Sequence, residues 1–142
     1  MRLPQRVLLL VDGETARATR LAQRLTALDV EVETAANGAE GLLKAHELQP
    51  DVVVVAADVP ILDGCRMLDA LRSQPRTHHI PAILILNGAR PDELARAWGS
   101  GADLCIPGGP CEADLWASLH RALQTTHTVP AVQAEQRVPT RE

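Results

Sequence analysis

The stretch Asp51-Val52-Val53-Val54-Val55-Ala56-Ala57-Asp58-Val59-Pro60-Ile61-Leu62-Asp63-Gly64 decides the fold. Its first half is a near-continuous β-branched run, the pattern of a strand buried on both faces inside a parallel sheet. Its second half is a loop: Pro60 fixes a backbone angle and Asp63-Gly64 supplies turn chemistry. Open α/β sheets bind their ligands beyond the carboxyl ends of their strands. The chemistry of this chain is therefore expected around Ala56, Ala57 and Asp58.

Working outward, 51–56 reads as the central strand and 64–73 as a helix with Met67, Leu68 and Leu71 inward. Upstream, Arg6–Val11 is a short apolar run and a buried strand. Residues 14–28 follow as a helix, with Ala18, Leu21, Leu25 and Leu28 at helical spacing and Arg17, Arg20, Gln23 and Arg24 opposite. Glu14 near its start suits the positive end of the helix dipole. Val30–Ala35 alternates apolar and polar residues, as a half-buried edge strand does. Asn37-Gly38 is a turn, and 39–48 is a helix with Leu42, Ala45 and Leu43 inward, ended by Gln49-Pro50.

Downstream, 80–86 is another buried strand, and Pro91 suits the start of a fourth helix running to about Ser100. Gly101 closes that helix in the manner of a C-cap. Residues 102–106 form the last strand, Pro107-Gly108-Gly109-Pro110 a rigid turn, and 112–124 the last helix, with Leu115, Leu119, Ala122 and Leu123 on one face. Five strands alternating with five helices imply a parallel sheet with right-handed crossovers and helices on both faces. Residues 1–127 read as one domain, and 128–142, polar, aperiodic and holding Pro130 and Pro139, as a flexible tail or linker.

Composition excludes several functions. The chain has 142 residues, and 46% are hydrophobic, enough to bury a core without disulfides or metal. Phe and Tyr are absent and only Trp98 and Trp116 are aromatic, so no stacking platform for single-stranded nucleic acid exists. Net charge is −4 with no basic stripe, so no direct binding of nucleic acid is expected. Cys65, Cys105 and Cys111 lack metal-ligand spacing and read as reduced structural thiols. His46, His78 and His79 read as surface residues without zinc spacing. No signal peptide or membrane span is visible, so a soluble, cytoplasmic protein is expected.

The order and spacing of Val7-Leu8-Leu9-Leu10-Val11-Asp12, Ala36-Asn37-Gly38, Pro50-Asp51, Val59-Pro60 with Asp63-Gly64, Ile80-Pro81 and Gly101-Ala102-Asp103 carry a resemblance. From residue 6 to about 125 the chain resembles the receiver domain of two-component response regulators. The resemblance implies a flavodoxin-like (βα)5 doubly wound parallel sheet with strand order 2-1-3-4-5. It also implies a chemistry. An Asp at the end of the third strand takes up a phosphoryl group. Mg²⁺, held by an acidic pair after the first strand, offsets the charge. A Lys after the last strand pairs with the phosphoryl group, and a Ser or Thr after the fourth strand signals its arrival.

Carried over residue by residue, that chemistry is missing. The acidic pair becomes Asp12-Gly13, with Glu14 next. The nucleophile, four residues before the loop proline, becomes Ala56, and a methyl group cannot accept a phosphoryl. The Ser/Thr becomes Leu86 and the Lys becomes Gly108. Asp58 lies only two residues before Pro60, at the position that offers a backbone carbonyl to the metal. Asp12 and Asp58 are expected to face each other as solvated loop carboxylates, with a residual divalent-cation site as the rival reading.

The fourth helix, fifth strand and fifth helix form the usual partner face of receivers. There the resemblance puts Leu94, Trp98 and Cys105, the last in place of a relaying aromatic. Trp98 either anchors an interface or covers the core edge, and Trp116 reads as core rim. The expectation is a degenerate receiver without catalysis or cofactor, which binds a protein partner or a second copy through that face. Its rivals are a small-ligand variant, with the loops at Gly13, Asn87-Gly88 and Gly108-Gly109 lining a pocket, atypical phosphorylation at Asp58, and a dimerisation domain with no switch.

Overall fold

The valine run forms the middle strand of a five-stranded parallel sheet in the computed structural model, which describes residues 6–86, 91–108 and 112–128. The elements alternate strictly: β1 (Arg6–Val11), α1 (Thr15–Thr26), β2 (Val30–Ala35), α2 (Gly38–Leu48), β3 (Val52–Ala56), α3 (Gly64–Arg72), β4 (Ala82–Leu86), α4 (Pro91–Gly99), β5 (Leu104–Pro107) and α5 (Glu112–Thr125). The strand order is β2-β1-β3-β4-β5, the flavodoxin-like order. Every ladder is parallel, with Val11 opposite Val55 and Ala56 opposite Ile85.

Strand alternation divides the core in two. Leu8, Leu10, Val52, Val54, Ile83 and Ile85 face Ala18, Leu21 and Leu25 of α1 and Leu115 and Leu119 of α5. Leu9, Val11, Val53, Val55 and Leu84 face Ala45 of α2, Met67, Leu68 and Leu71 of α3, and Ala97 of α4. All four valines of β3 are fully buried, as a strand covered on both faces requires. At about 1.5–3 kcal/mol for each large apolar side chain removed from water, these two layers supply most of the driving force for folding.

Helix starts follow from local chemistry. The Asn37 side chain accepts the Glu40 N–H at 2.8 Å, and Glu40 in return accepts the Ala36 N–H at 3.0 Å. Asp63 accepts the Arg66 N–H at 2.9 Å and so caps α3. Each cap satisfies a donor that the helix leaves unpaired.

The structure moves some sequence expectations. Ile80 and Pro81 precede β4 instead of opening it: Ile80 N–H closes a turn on Thr77 O at 3.1 Å, and Pro81 has no N–H to give. Asp103 lies outside β5 because its carboxylate, not a strand carbonyl, accepts the Ala82 N–H at 2.8 Å. Pro107, expected in a turn, ends β5 opposite Leu86. Leu43 is 57% exposed and faces solvent, because Gly41 and Ala45 take the inward positions of α2. Gly101 is not a left-handed cap. A Cβ there would run into Arg72 Cγ and lie 2.9 Å from Leu68 O, so close packing explains the glycine. Trp116 does lie at the core rim, half-buried between the His120 ring, stacked at 5.6 Å, and the Arg24 guanidinium, 5.6 Å from its ring. Asn87, Gly88, Gly109, Pro110, Cys111 and residues 129–142 lie outside the described residues.

Candidate functional site

The carboxyl ends of β1, β3 and β4 converge on one rim, and Ala56 stands there as the last residue of β3, 3% exposed. Its methyl belongs to the apolar cluster beneath α2, α3 and α4. Asp58 lies two residues further, exposed in the turn and not at the strand tip. Gly64 seats α3 against this turn, since a Cβ at Gly64 would lie 2.7 Å from Ala56 O. Ile61 adopts φ 72° with 81% of its surface exposed, and Leu62 N–H bonds to Pro60 O at 2.8 Å. A β-branched residue in the left-handed region is strained, and the loop holds it there.

Leu86 ends β4 beside Ala56 and is buried. The Gly108 N–H bonds to Leu86 O at 2.8 Å, and a Cβ at Gly108 would lie 2.7 Å from the same oxygen. Any side chain at 108 would have to shift the backbone. The three positions thus form an apolar, closely packed floor with no hydroxyl or ammonium.

Among the described residues Asp12 is the one acid buried in this rim, with 2% side-chain exposure. Its Oδ2 accepts Arg17 Nε–H at 2.7 Å, and its Oδ1 accepts Arg17 Nη2–H at 2.8 Å and the Glu14 N–H at 3.0 Å. The hydrogen bond to Asp12 holds the Arg17 guanidinium well above its ordinary pKa, against desolvation; the charges of Asp12, Glu14 and Asp58 add to it. Asp12, Gly13, Glu14, Arg17, Asp58 and Pro60 line one open cleft of about 570 Å³. Asp12 and Asp58 therefore do share a cleft, but Asp12 is paired and not solvated.

Arg17 was not among the sequence candidates. Helical spacing puts it on the polar face of α1, and its partner precedes the helix. The available signal was a cation in a helix's first turn, where the dipole disfavours it unless an acid is near.

A second arginine, Arg96 of α4, reaches Asp63 at 3.1 and 3.2 Å and ties the loop after β3 to α4. Burial pushes the Asp63 carboxyl up, but the Arg66 N–H and Arg96 outweigh it and hold the group below its ordinary value. Between them, Ala57, Asp58, Cys65, Leu86, Arg96 and neighbours line a cavity of about 280 Å³. Burial also raises the Cys65 and Cys105 thiols above their ordinary values.

On α4, Trp98 is 79% exposed, so it does not cover the core. Leu94, one turn earlier, is half-buried against the core, and Cys105 of β5 packs beneath with Sγ 3.9 Å from Ala97 O. Among the described residues no three His, Cys, Asp or Glu side chains are placed to hold a metal, and no helix is long and apolar enough to cross a membrane.

A family model of the response regulator receiver domain matches residues 8–116. This chain belongs to the receiver domain family. It is 33% identical over 112 residues to the gliding motility regulatory protein of Myxococcus xanthus, covering 79% of this chain and 14% of that protein. It is 32% identical over 95 residues to the transcriptional regulatory protein PrrA of Mycobacterium leprae, covering 67% and 40%. The receiver thus spans well under half the length of these curated relatives. Its fold is shared with the chemotaxis response regulator CheY4 of Vibrio cholerae (TM-score 0.76, 24% identity, 87% and 99% of the two chains covered). It is also shared with the receiver of sensor histidine kinase PA1611 from Pseudomonas aeruginosa, described with a magnesium ion coordinated in its active site cleft (TM-score 0.76, 22% identity, 86% and 97% covered).

The receiver family implies Mg²⁺, and the residues here do not fit it. Mg²⁺ needs near-octahedral oxygen ligands, usually one or two carboxylates with waters and phosphate. Asp12 spends both oxygens on Arg17 and a backbone N–H, and Gly13 offers no carboxylate.

Proposed function

We propose that this receiver works without phosphorylation, as a docking or dimerisation module in two-component signalling. The observation that carries the reading is the buried methyl of Ala56 at the tip of β3. Phosphoryl uptake needs a nucleophile there, and a methyl group has no electron pair to donate. Leu86 and Gly108 reinforce it, one apolar and the other without room for a side chain. Asp58 does not substitute, being exposed in the turn beyond the strand end.

With covalent switching gone, contact remains. An exposed Trp is among the commonest interface anchors, and Trp98 stands free of the core with Leu94 beside it. The partner is a protein or a second copy, engaged through the face of α4, β5 and α5. No enzymatic step and no cofactor belong to this reading.

Incubation with acetyl phosphate and Mg²⁺, followed by intact-mass analysis, tests it. No phosphoryl adduct is expected, and beryllofluoride with Mg²⁺ is expected to leave the amide spectrum unchanged. A phosphoryl adduct, or saturable shifts around residues 12, 56–58, 86 and 108, would refute it.

A further inference from the structure

The acidic cleft already contains a cation, and it is part of the chain. Asp12 uses both carboxylate oxygens on the two-pronged guanidinium of Arg17, at 2.7 and 2.8 Å. The same guanidinium lies 3.4 Å from Glu14, and Asp58 lines the cleft opposite. Two acids thus hold one planar cation and a third shares its cleft. The geometry is the fork-to-carboxylate match that makes arginine pairs short and strong.

Helical preference does not explain the position. Arg17 is the third residue of α1, inside the turn where backbone N–H groups make the field positive. Glu14, at the N-cap, makes no side-chain capping bond to offset it. The guanidinium stays because the cleft acids hold it. Nor can the neighbouring position supply the missing ligand: a Cβ at Gly13 would lie 2.9 Å from Pro60 Cδ and 3.4 Å from Ala36 O. A divalent ion would have to displace a bidentate pair at a nearly dry carboxylate, and Mg²⁺ gives up its waters reluctantly.

We propose that Arg17 is the built-in counter-ion of this receiver, closing Asp12 to divalent cations, and that removing its charge opens the Asp12–Asp58 cleft to a hydrated ion. The inference deepens the phosphorylation-independent reading and rests on it: the pocket has one fixed charge state and does not respond to cellular Mg²⁺. Arg17 is thereby a positioning residue for the loop at Asp12 and a gate against metal.

The test is a Mn²⁺ titration of the full chain, read as local paramagnetic broadening of backbone amides. In the wild type no selective broadening at residues 12–14 and 58 is expected. Arg17→Gln is expected to gain saturable broadening there, half-saturated at a Mn²⁺ concentration about tenfold or more below the highest at which the wild type stays silent, the size expected when one cation leaves such a site. Arg17→Met, which keeps the apolar stem, is expected to behave likewise. Selective broadening in the wild type overturns the proposal, and so does a variant response equal to the wild type's. If neither variant folds, the wild-type titration decides, because metal at Asp12 with Arg17 in place contradicts the gate. A metal-silent wild type that still acquires a phosphoryl adduct would refute the proposed function and leave the role of Arg17 standing.

Discussion

Loss of the Arg17 charge should cost stability, and the structure sets the size. Arg17→Gln removes two of the three hydrogen bonds to Asp12 and leaves its carboxylate, 2% exposed, with only the Glu14 N–H. Breaking a fully buried pair costs about 3–5 kcal/mol and an exposed one about 0–1 kcal/mol. Arg17 is 32% exposed, so water reaches the gap and the cost falls between these limits. We expect Arg17→Gln to lose about 2 kcal/mol, or about 6–8 °C in Tm for a domain of this size. Asp12→Asn and the double variant complete a double-mutant cycle, with an expected coupling of about 1–2 kcal/mol. Urea denaturation followed by circular dichroism measures all four proteins. A coupling below about 0.5 kcal/mol would show that the pair is a surface ornament, and the reasoning about the cleft would fail with it.

Three further outcomes are expected. Trp98→Ala should change stability by no more than about 0.5 kcal/mol, since the ring is 79% exposed, while weakening partner capture or self-association by sedimentation; unchanged association would remove Trp98 from the interface. Asp63 has a depressed folded-state pKa, so its contribution is present above the ordinary Asp value of about 3.9 and is lost as pH falls through the lower folded value; the stability gap between wild type and Asp63→Asn should hold steady above about pH 5 and close below about pH 4, and a gap constant down to pH 2 would contradict this. Gly101→Ala should destabilise by about 1–3 kcal/mol, because the new methyl meets Arg72 and Leu68 O, and a neutral effect in thermal melts would show that the contact yields freely.

The strands were legible because their chemistry is one-dimensional. Four valines in a row admit few placements other than a doubly covered strand, and Val30–Ala35 alternates as an edge strand must. The rim was legible where a residue's role depends on its own type: Ala56 sits at the strand end whatever its neighbours do. Arg17 was hidden because its role depends on a partner five residues away, across the break between β1 and α1. The role of Gly101 is hidden for a similar reason. A glycine after a helix suggests a left-handed cap, but the constraint comes from α3, distant in sequence. Apolar spacing points Leu43 inward and does not reveal that glycine and alanine fill the close-packed side of α2.

One guanidinium has a consequence for how this domain comes apart. Arg72, at the end of α3, donates to Gly101 O, His78 O, Ile80 O and the Asp103 carboxylate, between 2.8 and 3.0 Å. β5 is four residues long and terminates the sheet on one side, the kind of segment that ordinarily frays early. Its entrance is instead clasped to a helix on the buried layer. Peeling that margin therefore means pulling Gly101 O and the Asp103 carboxylate off the Arg72 guanidinium, a cost that a free edge strand would not meet.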